Sequence, residues 1–374
     1  MLPKILSERN FLPWLTLSTV CTASLTIDRL NAQIIPDATL GSESSIVTPV
    51  TPRIDLIQGG ATRGVNLFHS FEEFNIGERR AAFFANPAGV QNIFSRVTGT
   101  NPSRLFGTLG VLGNANLFFL NPNGIIFGPN ASLRVNGSFV ATTGNSFVFP
   151  DGSRFSATRP EAPPLLSVNV SVPVGVQFEG SGGIITNAGT LEPGGNLTLV
   201  GGTIVNTGTL STFGEPIAVV TTDGAIVNLD EKGGYAGITP STNTGLKPSL
   251  ADFVTSGGTA TGLSVDADGT VRTIATGTPV GSGDAVTTGS IDSRGISGAA
   301  VTIQSQGNIE IAGTGINASA LVNTAGQFLG NAGDVNITAG GISSRAGIFS
   351  REGFLVAILA LLVGERFVLR VENR

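Results

Sequence analysis

The single histidine, His69, stands in NLFHSFEEF (66–74). A Ser-His-Asp or Cys-His hydrolase would need it, because an imidazole must take the proton of the nucleophile. No G-x-S-x-G elbow and no G-x-x-x-x-G-K phosphate loop occurs in the 374 residues. With Phe68, Phe71 and Phe74 around it, His69 reads as a structural polar group. Glu72 and Glu73 are its nearest carboxylates. Glycoside hydrolysis needs two carboxyl groups about 5–9 Å apart across the scissile bond, whereas neighbours on a strand point to opposite faces. Asp266 and Asp268, in VDADGTVRTI (265–274), could meet Ca²⁺, but that ion takes six or more oxygens. A hairpin with an Asp-Gly turn at 268–269 is expected instead. GSGD (281–284) is one unit of a calcium-binding nonapeptide, and such sites form only between stacked repeats. No catalytic residue, cofactor or metal site is expected. The alternative is a β-helical polysaccharide-cleaving enzyme with a carboxylate cluster on one face.

The elements that would position any site are short. Glycine contributes 52 residues, charged residues only 13%, and apolar residues 41%. That is too hydrophobic for disorder, and Val, Ile, Thr, Asn and Gly favour many short strands joined by tight turns. The net charge is −5 and the lysines are Lys4, Lys232 and Lys247. No basic face exists to neutralise phosphates, so a nucleic-acid partner is not expected. Cys21 is the only cysteine and can form no disulfide within the chain. It falls in residues 1–32, which read as a secretory signal handled by the Sec machinery. Lys4 and Arg9 precede the apolar run FLPWLTLSTVCTASL (11–25), and LNA (30–32) ends before Gln33. No later run reaches the ~20 apolar residues that a spanning helix needs.

Internal repetition sets the architecture. GGIITNAGTL (182–191) realigns with GGTIVNTGTL (201–210), seven of ten positions being identical at a shift of 19. GAIVNLD (224–230) reads as a further return, and GAAVTIQSQGNIEIAGTGINAS (298–319) and GDVNITAGGISS (333–344) carry a similar phrase. Within NLTLV, Leu197 and Leu199 share one face and Asn196 and Thr198 the other. Strands this short with a period near 20 indicate a solenoid, and Asn187 and Asn206 hold equivalent places where carboxamides can stack. The expected fold is all-β, a right-handed parallel β-helix with an aromatic-rich N-terminal cap and extra-helical hairpins.

Fourteen of the 22 phenylalanines lie between Phe68 and Phe155, where they would plug the open end of the coil. Phe68, Phe71 and Phe74, three apart, suggest a helical turn or an irregular cap loop. Residues 33–180 are expected to form the capped N-terminal domain and 181–345 the shaft, with an excursion near 231–295. The tail 346–374 matches neither. Its apolar run from Phe354 to Val363 reads as a capping helix or as the product of a truncation or frameshift.

NPNGIIFGPNASLRVNGSFVATT (121–143) resembles the filamentous haemagglutinin N-terminal domain, also called the haemagglutination activity or two-partner secretion domain. IIPDATLG (34–41), IDLIQGGATRGVNLFHSF (54–71), FANPAGVQNIFSRVTGTNPSRLFGTLG (84–110) and NLFFLNPNGIIFGP (116–129) are similar to it in the same order. The resemblance implies a secreted, non-enzymatic adhesin or a fragment of one. It implies export from a diderm bacterium, through the periplasm, to the cell surface or medium. The implied partner is a dedicated outer-membrane β-barrel with POTRA domains, and an adhesin would add a host-cell, surface or glycan receptor. It also implies that the secretion motif lies at Asn121, Pro122, Asn123 and Gly124. As residues, these four are equally a good turn, Pro122 presetting φ and Gly124 supplying positive φ.

Overall fold

Strands of three to five residues cannot persist alone, and here they are stabilised by stacking. The computed structural model describes residues 33–160, 175–180, 182–240, 249–311, 315–317, 334–339, 341–344, 348–349, 355–356 and 367–371. The expected leader, with Cys21, lies outside them. Three walls are built from parallel strands. Wall A contains Asn66–Phe74, Asn92–Val97, Asn116–Leu120, Phe139–Thr142, Leu197–Gly201, Ile217–Thr221, Val301–Gln304 and Val335–Ala339. Wall C contains Ser103–Leu105, Ile125–Phe127, Ile184–Asn187, Thr203–Asn206, Ala285–Thr287, Asn308–Ile311 and Gly341–Ser344. Wall B runs from Ile54–Gly59 and Ala81–Ala85 through Thr108–Leu112, Ser132–Arg134, Thr190–Leu191, Thr209–Ser211 and Ser290–Asp292 to Gly315–Asn317 and Ile348–Phe349. The chain visits A, C and B in turn and returns to A, so each circuit adds one strand to each wall. This is a parallel β-helix.

The 19-residue repeat is one circuit. Ile185 pairs with Ile204, Asn187 with Asn206 and Leu191 with Leu210. In wall A, Leu199 lies between Ala141 and Val219. The inward side chains form one apolar cluster that runs from Ile34 to Ala339, so the core does not divide at residue 180. Carboxamides add a second axial thread. Asn187 donates to Asn206 at 2.8 Å, and Asn206 donates to Thr287 Oγ1 at 2.8 Å. A separate ladder joins Asn116, Asn92 and Asn66 at 2.9 and 3.0 Å.

Two excursions leave the coil, both at the corner between walls A and C. The first, between Thr142 and Ile184, was not expected. The second lies between Thr221 and Ala285 and ends earlier than 295, because Ala285–Thr287 and Ser290–Asp292 are already coil strands. GAIVNLD is also not a circuit. Its strand Ala225–Leu229 runs antiparallel to Gly175–Gln177 and Tyr235–Pro240 in a five-stranded sheet completed by Ser146–Val148 and Arg154–Ser156. That sheet covers the outer face of wall A. Wall A strands such as Asn92–Val97 and Leu197–Gly201 are therefore buried on both faces, as parallel sheets require. Thr198, read as outward, donates to Gly233 O beneath this cover. From the second excursion, the helix Leu250–Gly257 and the hairpin Leu263–Val265/Val271–Thr273 cover wall C. Among the described residues, no element covers wall B. A hydroxyl row runs along its outer face, with Thr108 and Ser132 oxygens 2.9 Å apart and Ser290 donating to Thr209.

The phenylalanines divide between two tasks. Phe71, Phe74, Phe84 and Phe119 fill the lumen at the N-terminal end. Phe68, Phe94 and Phe118 stack outside wall A, one per circuit, with centroids 5.2 and 4.6 Å apart, against Phe147, Phe149 and Phe155 of the covering sheet. The triad Phe68, Phe71 and Phe74 is neither a helical turn nor a loop, because it lies in strand Asn66–Phe74. Opposite Ile34–Pro36 the register slips by one residue, pairing Ile35 with Glu73 and Pro36 with Phe71. The extra residue, Glu72, makes a bulge that returns Phe74 to the same side as Phe71. Strands Ile34–Pro36 and Ala61–Arg63 lie antiparallel on this first wall-A strand and close its edge. In the tail, Phe367–Val371 runs antiparallel to Val335–Ala339. Most of the expected helix at 354–363 lies outside the described residues, but Leu355–Val356 is a strand.

Leu199 is fully buried in the lumen. Leu199→Ala is expected to cost about 2–5 kcal/mol through lost transfer energy and the cavity left behind. The check is a lower urea midpoint at unchanged slope; an unchanged midpoint would show that the lumen collapses around the gap.

Candidate functional site

Asn121 to Gly124 form the corner between the wall-A strand Asn116–Leu120 and the wall-C strand Ile125–Phe127. Two hydrogen bonds close the turn. Gly124 N donates to Asn121 O at 3.1 Å, and Asn123 N donates to Asn121 Oδ1 at 3.0 Å. Pro122 occupies the second turn position, where its fixed φ fits. Gly124 has φ +121°, the left-handed region that only glycine enters cheaply.

The corner is held from both sides along the axis. Asn121 is fully buried, and its Nδ2 donates to Asn101 O and Ser103 Oγ of the preceding corner, both at 3.0 Å. Asn123 Nδ2 donates to Gly99 O at 2.7 Å. On the other side, Asn121 N donates to Thr142 O, and Gly183 lies so close to Pro122 O and Asn123 that no side chain would fit there. Asn121 therefore spends both side-chain donors and its carbonyl inside the protein. In the folded chain these asparagines are structural groups, and little of them is left to offer a partner.

The cap contains a polar clamp that is half-buried at Asp37 and buried at Arg96. Asp37 accepts hydrogen bonds from Thr39 Oγ1, Ser70 Oγ and Thr98 Oγ1 at 2.6–2.7 Å. Burial raises its pKa, but these donors outweigh it and hold the carboxyl below the usual range. Arg96 is almost fully buried. It donates to Ser70 Oγ, Thr39 Oγ1 and Ser156 O at 2.8–2.9 Å, and its guanidinium lies 4.2 Å from the Phe155 ring centroid. Burial lowers its pKa to about 10, opposed by the charge of Asp37. The clamp ties the N-terminal strand, the first two wall-A strands and the covering sheet together. His69 faces the lumen as a structural group, with Nδ1 3.0 Å from Ser45 Oγ and its ring against Phe84. Burial lowers its pKa to about 3, so it is neutral.

The remaining candidates stay apart. Glu72 is exposed in the bulge, and Glu73 accepts from Asn75 and Asn101. Asp266 pairs with Arg272, while Asp268 Oδ1 accepts from Thr270 N. Asp284 of GSGD uses its two oxygens on Gly281 N and on Asn308 N of the next circuit. Among the described residues no group of three His, Cys, Asp or Glu could hold a metal ion. Sequence reasoning missed Asn101 and Ser103, although one of the two other Asn-Pro pairs, at 101–102, signalled the preceding corner. It also missed Gly183, Phe253 and the clamp, which carry no local signature.

The TPS secretion domain family model matches residues 32–288, through both excursions and past the boundary expected at 180. A curated heme/hemopexin-binding protein of Haemophilus influenzae is 33% identical over 72 residues, 19% of this chain. The match spans only 8% of that relative's length. Among solved structures, the HMW1 secretion domain from Haemophilus influenzae aligns at a TM-score of 0.45 and 18% identity, covering 84% of this chain and 71% of that one. A filamentous hemagglutinin secretion domain aligns at 0.41 and 16%, covering 84% and 98%.

His69 sets an acid dependence. Below its ordinary pKa of 6.5 the unfolded chain takes a proton that the folded chain refuses until about pH 3. Stability contributed by neutral His69 is complete above pH 6.5 and falls by about 1.4 kcal/mol per pH unit below it. Urea midpoints between pH 7 and 5 are expected to fall more steeply for the wild type than for His69→Gln. Parallel pH profiles would show that His69 is not buried as described.

Proposed function

This chain belongs to the TPS secretion domain family, and from that premise we propose that it is an exoprotein delivered through a dedicated outer-membrane β-barrel, with Asn121–Gly124 as part of its export address. The observation that carries the reading is the family match over residues 32–288. The family indicates export. The Sec-handled leader at 1–32, passage across the periplasm and POTRA domains on the partner are finer parts of the proposal.

The chain's own physics supports such a route. No disulfide can form in it, so it can remain threadable. Each circuit rests on the one before it, so folding can start at the N-terminal cap and add coils one at a time. Folding outside the cell would hold the chain there without a nucleotide. An adhesin of the filamentous haemagglutinin type, acting on a host-cell, surface or glycan receptor, is the downstream role we propose. The open face of wall B is the part of the described coil left available for it. No observation among the described residues favours a polysaccharide-cleaving site.

Secretion tests the reading. The chain is expressed in a diderm host with and without a two-partner transporter, and the medium is assayed. Transporter-dependent release is expected. Asn121→Ala removes the donors to Asn101 O and Ser103 Oγ and the acceptor of Asn123 N, at a cost of about 1–3 kcal/mol. It is expected to reduce release by about tenfold, since 1.4 kcal/mol is a factor of ten. Release independent of the transporter would sink the proposal.

A further inference from the structure

Phe253, on the helix Leu250–Gly257, packs over Gly124, the last residue of the corner Asn121–Gly124. A β-carbon at Gly124 would fall into the Phe253 ring. Phe253 is 7% exposed and belongs to a cluster with Ile126, Ile184, Val205 and Val286 from four wall-C strands. The C-terminal end of the helix is fixed too. Arg104, beside the preceding corner, donates from Nη2 to Ser256 O at 3.0 Å across 152 residues of sequence. Gly257 lies where a side chain would strike Ile126 Cδ1. The helix thus lies across two successive A-to-C corners, anchored at both.

We infer that this helix is a seal over the export corner, and that a partner reading Asn121–Gly124 does so before the helix docks. The inference rests on the export reading above. An eight-residue helix is not stable alone in water. Its N-cap, in which Ser249 Oγ accepts from Asp252 N, cannot change that. It forms only against a finished platform, and that platform includes Ile184 and Val205, one and two circuits later than the corner. It also includes Val286, which follows the helix in the chain. The corner itself needs only the neighbouring circuits. In a chain that folds from its N-terminal end, the turn therefore exists for a period with its outer side uncovered. Docking of Phe253 ends that period by closing over Gly124, while Pro122 and Asn123 stay half-buried.

Hydrogen exchange of the purified full chain tests the seal without the partner. In Phe253→Ala, the amides of 121–125 are expected to exchange about tenfold faster than in the wild type. Amides of the lumen strand Leu197–Gly201 should keep their protection, which shows that the coil is folded. Arg104→Gln provides a milder opening, should Phe253→Ala disturb the coil. Exchange at 121–125 that stays slow while 249–258 becomes fast in either variant would overturn the inference. The secretion assay separates it from the export reading. Phe253→Ala leaves all four corner residues in place and is expected to be released through the transporter at the wild-type level, whereas release of Asn121→Ala falls about tenfold. Equal loss in both would overturn early reading. Wild-type release from Asn121→Ala would sink the role of the corner in export, and exchange alone would then decide whether the helix is a seal.

Discussion

Each circuit must hand its unpaired backbone to the next. The strands have three to six residues in most places, and a strand that short has no stability of its own. The whole structure depends on register. When Leu199 lies over Ala141 and under Val219, the lumen is filled, the carboxamides of Asn187 and Asn206 meet, and both edges of the strand are paired. A slip of one residue would turn every inward Leu and Ile outward. The ends are where this rule fails, because an end has a partner on one side only. At the N-terminal end the chain changes direction, lays antiparallel strands on the exposed edge, and locks them with Asp37 and Arg96.

The three outer faces have been treated differently, and the difference gives the molecule its functional anatomy. Wall A lies under an antiparallel sheet glued by stacked phenylalanines, and wall C lies under a helix and a hairpin. Wall B has no cover among the described residues and is lined by hydroxyls. Both covers arise from insertions at one kind of corner, the A-to-C corner, which is also the place of Asn121–Gly124. That column of corners joins the coil's own construction to everything added outside it. The burial of Asn121 follows from the same geometry, since a corner stacked between corners must satisfy its polar groups internally.

The coil itself was legible from sequence. GGIITNAGTL and GGTIVNTGTL place Ile185 on Ile204 and Asn187 on Asn206 as their alignment predicts. The turn at Asn121 was legible because proline and glycine act on their own backbone. What escaped was contact without sequence proximity. Arg96 meets Ser156 across 60 residues and Arg104 meets Ser256 across 152, and nothing beside either arginine reports its partner. GAIVNLD misled because an alternating strand of the covering sheet, with one face on wall A, has the same apolar rhythm as one facing the lumen. The phenylalanine triad misled for another reason. A spacing of three matches a helical turn, whereas in the strand Phe68 and Phe71 fall on opposite faces and the bulge returns only Phe74 to the side of Phe71.

The parallel stacking has a mechanical consequence. Strands lie across the long axis, and neighbouring circuits are joined by ladders in three walls plus a few carboxamide links. A pull on the last circuit loads first the ladders that join it to the circuit beneath, and where a cover bridges several circuits the load is shared among them. The uncovered part of the coil would therefore pay out chain one circuit at a time, each at the force its own ladders resist. A tether made this way lengthens under tension by about 3.3–3.6 Å for every residue released, while the circuits below keep their shape.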